Sequence, residues 1–199
     1  MRPPFGVSLI FLALLAAPAA AESKVKTETV VPPKAAAKKP APAAPLPEIL
    51  RDLSALPEKV RQTRERILEA ARSGDVSKLV TAMQANELMP VFSFGADKDP
   101  AAFWKSSYPD SDGVEALSIL TEVLEAPFVH LDRGTPQEMY VWPYFYAMPL
   151  AKLTPEQKVE LFRLVTGSDW REMEQFGAYI FYRVGIAPDG VWHFFVAGD

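Results

Sequence analysis

The chain has 199 residues, a formal charge of −4, 49% hydrophobic residues and no cysteine. The missing thiols exclude a disulfide scaffold, a thiolate nucleophile and a lipid-modified cysteine, and only two histidines exclude a His-rich metal centre within one chain. The charge is uneven: residues 22–47 hold five Lys and two Glu (+3), whereas residues 48–199 hold 15 Lys+Arg and 23 Asp+Glu (−8). So acidic a domain argues against nucleic acid as a partner, because phosphate binding needs a basic surface.

Met1-Arg2-Pro3-Pro4 is followed by an apolar run from Phe5 to Ala17 and by Pro18-Ala19-Ala20-Ala21-Glu22. A short basic start, a dozen apolar residues and small residues at Ala19 and Ala21 predict a secretory signal over residues 1–21, cleaved after Ala21. The run is shorter than the roughly 20 apolar residues of a membrane span, so no transmembrane segment is expected once the signal is removed. Residues 22–47 are rich in Pro, Ala and Lys without an apolar period. They read as a disordered, extended tether, either a plain spacer or a basic arm for anionic lipid or cell-wall polymer.

Residues 48–199 are one domain by length. Val60, Ile67, Leu68 and Ala71 form one helical stripe with Pro57 in the first turn, and the charges between them, Arg64 included, read as a solvated face. Gly74 stops that helix, and Asp75 caps a second one bearing Val76, Leu79, Val80 and Met83. From Leu88 to Ser111 the pattern is broken by Pro90, Gly95, Pro100 and Pro109, although Asp99-Pro100 predicts a short turn that carries Phe103 and Trp104 inward. Asp112-Gly113-Val114-Glu115 resembles a capping box, opening a helix with Leu117, Leu120, Val123 and Leu124 on its buried side.

Two strand-like runs follow, Phe128 to Asp132 and Glu138 to Trp142, joined by a turn. A register centred on Thr135 sets Asp132 opposite Glu138, His130 opposite Tyr140 and Phe128 opposite Trp142. Histidine and two carboxylates in cross-strand reach make His130, Asp132, Glu138 and Tyr140 an acid–base or divalent-ion candidate. Tyr140, Trp142, Tyr144, Phe145 and Tyr146 form an aromatic row that either stacks on a ligand or fills a core. Pro143 bends or ends its strand. Thr154-Pro155-Glu156-Gln157 is a strong helix start. Thr166-Gly167 stops that helix, and Ser168 caps a short one with Trp170, Met173 and Phe176, closed by Gly177.

Tyr179 to Ala187 and Val191 to Ala197 make a terminal ribbon around Pro188-Asp189-Gly190, a type I turn with Gly at positive φ. Pairing Ala187 with Val191 sets Ile186 opposite Trp192, Val184 opposite Phe194 and Tyr182 opposite Val196 on one face. The other face then carries Tyr179, Phe181, Arg183, His193 and Phe195, with Gly185 leaving space beside the His193 imidazole. An aromatic-walled patch with Arg and His suits an anionic or sugar-like ligand, and these five residues are the first ligand-binding candidates. The plainer alternative is a helix covering the aromatics. No Walker loop, Gly-x-Gly-x-x-Gly, Gly-x-Ser-x-Gly or His-Glu-x-x-His occurs, so neither a cofactor nor a metal is expected.

The stretch from Phe176-Gly177-Ala178-Tyr179 to Asp199, with its Phe-Tyr-Arg, Pro-Asp-Gly and Trp-His-Phe-Phe-Val-Ala-Gly-Asp, resembles the end of a group of uncharacterised exported proteins from α-proteobacteria. The likeness implies a Gram-negative periplasm and supplies no catalytic residue. Ala70-Ala71-Arg72-Ser73-Gly74-Asp75-Val76 is similar to the first helical turn of SnoaL-like α+β domains, which enclose an apolar pocket, but the middle of the chain shows too few strands for their curved sheet.

The sequence therefore predicts an α+β domain: N-terminal helices, then β-hairpins separated by helices. Its expected role is a periplasmic binding or accessory module on a tether, with a protein, cell-wall or small-molecule ligand. The alternatives are a hydrolase using carboxylate and histidine, and a structural envelope protein.

Overall fold

In the computed structural model, residues 45–198 are described. The signal, its cleavage point and most of the tether lie outside them. The fold is α+β, with six α-helices and one four-stranded antiparallel sheet among the described residues. Helices α1 (Glu58–Arg72), α2 (Val76–Gln84), α3 (Pro100–Ser107) and α4 (Val114–Glu125) precede strands β1 (Val129–Leu131) and β2 (Met139–Trp142). Helices α5 (Pro155–Leu161) and α6 (Gly167–Phe176) separate these from β3 (Arg183–Ile186) and β4 (Trp192–Val196), and the sheet order is β1-β2-β3-β4.

Most helix starts have a local cause in a capping side chain. Asp75 accepts from the Ser77 N–H at 2.8 Å, and Asp99 accepts from Ala101 and Ala102. Thr154 and Gln157 close a full capping box on α5. Two starts differ from expectation. At α4 no side chain of the expected box caps the helix: Asp112 and Gly113 are both left-handed, and the Ser111 hydroxyl accepts from the Glu115 N–H instead. Thr166 does not stop α5, which ends earlier at Leu161; it caps α6 in a box with Asp169, and Gly167 is the first residue of that helix. Gly177 ends α6 at φ 88°, a conformation that favours glycine.

The sheet is packed on both faces. Phe128, just before β1, and Tyr140 and Trp142 of β2 join Val184, Ile186, Trp192 and Phe195 in a core against α1 to α4. Val129, Val141, Tyr144 and Phe145 enter a second core with Leu161, Val165 and Met173 of the α5–α6 region. The strand ends at Trp142, as Pro143 suggested, and the next residues form a 3-10 turn over Tyr144–Ala147.

Arg64 departs from its expected solvated position. It is buried, and its Nε and one terminal nitrogen donate to the Leu124 carbonyl at 3.1 and 3.0 Å. A cation on one of the last carbonyls of α4 satisfies an orphan acceptor and complements the helix dipole.

The β4 margin is covered by a strap from the irregular stretch after α2. Asn86 bonds both the N–H and the carbonyl of Trp192 with its side-chain amide, at 3.0 and 2.9 Å. Val91 then pairs in parallel: its N–H donates to His193 and its carbonyl accepts from Phe195, both at 2.8 Å.

Candidate functional site

The terminal ribbon turns as expected. The Ala187 N–H donates to Val191 at 2.9 Å, the Gly190 N–H donates to Ala187 at 2.8 Å, and Ile186 pairs with Trp192. Beyond that pair the ladder slips by one residue. Gly185 pairs with Phe194, Val184 with Phe195 and Arg183 with Val196, so His193 is the extra residue of a β-bulge.

The expected five-residue ligand face does not form: the bulge redirects its β4 members, and β3 begins only at Arg183, which leaves Tyr179 and Phe181 outside the ladder. Phe195 moves to the Trp192 side, where its ring lies 4.8 Å from Tyr182 and 5.8 Å from Trp104 in the core. Tyr179 is buried in the second core, and its hydroxyl donates to the Tyr182 carbonyl at 3.0 Å. Phe181 is half-buried between both cores. His193 is exposed and does not sit opposite Gly185. The space over Gly185 is filled by the Phe194 ring and the Met139 sulfur.

Arg183 of that set is the one that still anchors an accessible surface. It is itself buried, and one terminal nitrogen donates to the Gly198 carbonyl at 2.6 Å. Its guanidinium lies 5.0 Å from the Tyr146 ring centre and 5.8 Å from that of Phe94. Both rings are exposed, Phe94 at 60% and Tyr146 at 43%. A buried cation thus holds two outward aromatic rings by cation–π attraction. Leu88, Met89 and Val91 of the strap are exposed as well.

Tyr146 is the member of the aromatic row that reaches solvent; Tyr140, Trp142, Tyr144 and Phe145 are core. Phe94 escapes sequence reading because it lies in a stretch without a period. Its one signal is an aromatic residue beside Gly95 in a polar loop.

The earlier hairpin matches its expected register, with His130 opposite Tyr140. The His130 and Tyr140 rings stack at 4.1 Å between centres, and His130 Nε2 lies 2.7 Å from Glu138 Oε1. The other Glu138 oxygen accepts from the Gly134 N–H at 2.8 Å. These bonds, the Gly134 one foremost, hold the Glu138 carboxyl below the usual carboxylate range. Burial pushes the Tyr140 phenol upward. Asp132 does not join them: it is exposed at φ 52°, and its carbonyl receives the Thr135 N–H and hydroxyl. The expected arrangement of one histidine and two carboxylates reduces to one His–Glu pair. Among the described residues no group of three metal-ligating side chains converges.

A third cluster has no counterpart in the sequence reading. Arg51 grips Glu160 through two nitrogens, at 2.8 and 3.2 Å, and the buried Tyr144 hydroxyl donates to Glu160 at 2.9 Å. Burial, then the Glu160 bond, push the Tyr144 phenol far above its ordinary range. The three residues come from chain positions as far apart as 51 and 160, so no local motif marks them.

No family model matches the chain, and neither a curated protein nor a solved structure was found to be similar to it.

Proposed function

We propose that the chain is an exported binding or accessory module that holds an apolar segment of an envelope protein on the Phe94–Arg183–Tyr146 face. The supporting observation is the pair of exposed rings fixed over one buried guanidinium. Arg, Tyr and Phe in such a group have the composition of a protein-contact anchor, since rigid aromatic rings give contact area at little entropic cost. The exposed Leu88, Met89 and Val91 extend the apolar area along the strap. Export to the periplasm rests on the signal read in residues 1–21 and on the likeness of the C-terminal stretch.

The test is a pull-down from periplasmic extract with three baits: the unaltered chain, a Phe94→Asp/Tyr146→Asp double variant and His130→Ala. Capture of the same protein by the unaltered chain and His130→Ala, and its loss with the double variant, is the expected result. Equal capture by all three baits, or none by the unaltered chain, overturns the reading.

The hydrolase alternative keeps one supporting observation, the 2.7 Å contact between His130 and Glu138. Neither His130 nor Glu138 lines any of the five clefts found among the described residues, whereas a catalytic pair is expected to face one. For that reason we favour the binding reading.

A further inference from the structure

A narrow cleft opens between the end of α4 and the α5 region, on the side of the molecule where Arg51 crosses Glu160. Its walls carry five charges: Arg51, Glu122, Glu125, Glu160 and Arg163. Its apolar lining includes Pro127, Leu164 and the buried Phe145.

The charges sort themselves into pairs. Arg51 is held by both oxygens of Glu160, which also receives the Tyr144 hydroxyl, so that carboxylate is saturated. Glu125 is taken by Arg72 at 2.6 Å. Two side chains of opposite sign remain on the walls, Glu122 from α4 and Arg163 from the turn after α5. Among the described residues neither makes an ion pair or a side-chain hydrogen bond. One free anion and one free cation facing the same small space complement a ligand that carries both charges.

Size narrows the class. The cleft has a volume of about 70 Å³. At roughly 10–15 Å³ for each water-sized group, it admits about five to seven such groups. An α-amino acid head has five non-hydrogen atoms: the nitrogen, the α-carbon and the carboxylate.

The geometry points to this cleft as a binding site for a small zwitterion, a free α-amino acid with a short side chain, whose ammonium meets Glu122 and whose carboxylate meets Arg163. The carboxylate of such a ligand suits the guanidinium's planar donor fork, and the ammonium suits a carboxylate with no other donor. Pro127 and Phe145 limit the side chain to a small apolar group. This site is separate from the Phe94–Arg183–Tyr146 face, and neither reading depends on the other.

Ligand-observed NMR titration of the purified full chain with L-alanine tests it. Saturable binding is expected, with N-acetylalanine and alaninamide, each lacking one charge, binding at least about tenfold more weakly. Glu122→Gln and Arg163→Gln are each expected to weaken alanine binding about tenfold, with unchanged circular dichroism because both side chains reach solvent. The inference is overturned by no saturable binding of alanine, by analogues that bind as well as alanine, or by variants that bind as the unaltered chain does.

Discussion

The two hairpins of the sheet carry the same kind of alternating aromatic sequence, yet they behave differently. In β1–β2 the period of two runs unbroken from Val129–Val141 to Leu131–Met139. In β3–β4 it holds at Ile186–Trp192 and then slips at His193. The turn fixes register only nearby, and side-chain packing decides it farther along the ribbon. Phe194 and Phe195 are adjacent, so either could face the helices. The observed choice puts Phe195 among Trp104 and Tyr182 and lays the Phe194 ring over Gly185, which has no side chain to obstruct it. The cost is one bulged residue, His193, and the strap meets that cost in part because Val91 takes its carbonyl.

The largest test of this contrast is a pair of truncations. Phe195→Ala is expected to destabilise the domain by about 3–5 kcal/mol, as loss of a buried aromatic does. Phe194→Ala, from a half-buried position, is expected to cost clearly less. Urea denaturation of both variants checks the ranking, and an unbulged ribbon would reverse it.

A smaller effect is expected at Gly185. A Cβ there would collide with the Phe194 ring and the Met139 sulfur. Gly185→Ala is therefore expected to cost about 1–3 kcal/mol by overpacking, and combining it with Phe194→Ala should recover part of the loss. Strict additivity in the double-mutant cycle would show that the ring does not occupy that space.

On the β1–β2 side the expected effect appears only in acid. Glu138 has a folded carboxyl pKa below its unfolded one, so its contribution is present above the unfolded value and is lost as pH falls through the folded value. Stability measured from neutral pH to below roughly pH 4 should fall less steeply in Glu138→Gln than in the unaltered chain. An identical acid limb would remove the His130–Glu138–Gly134 bonds from the account. The smallest effect is reserved for the bulge itself: His193→Ala, at an exposed position, should stay within about 0.5 kcal/mol of the unaltered chain. His130→Ala should also leave the fold intact.

Much of the helical half is legible in the sequence because its signals are local. Asp75, Asp99 and Thr154 each cap a helix within three residues, and the apolar stripe Val60, Ile67, Leu68, Ala71 is buried as its spacing requires. Thr166-Gly167 misleads because the same two residues suit a helix end and a helix start. Asp112-Gly113 misleads because both residues take left-handed conformations, which remove Asp112 from the cap position. Arg64, the Val91 bridge and the Arg51–Glu160–Tyr144 cluster are hidden for a different reason. Their partners lie far along the chain: Leu124, His193 and Glu160. A single paired residue such as Val91 also has no period to detect. Of the five ligand candidates on the terminal ribbon, Arg183 alone remains part of the proposed face: the bulge displaces His193 and Phe195, and Tyr179 and Phe181 lie before β3, outside the ladder.

The strap leaves a mark on how this protein can recruit anything at its last strand. The amide group of Asn86 and the peptide of Val91 already occupy four of the main-chain groups that β4 turns outward. An incoming chain therefore finds no ladder to extend there, and cannot join the sheet as an extra strand. Whatever associates with this margin must be gripped by side chains, which makes recognition depend on the shape and chemistry of Phe94 and its neighbours rather than on backbone complementarity open to any extended peptide.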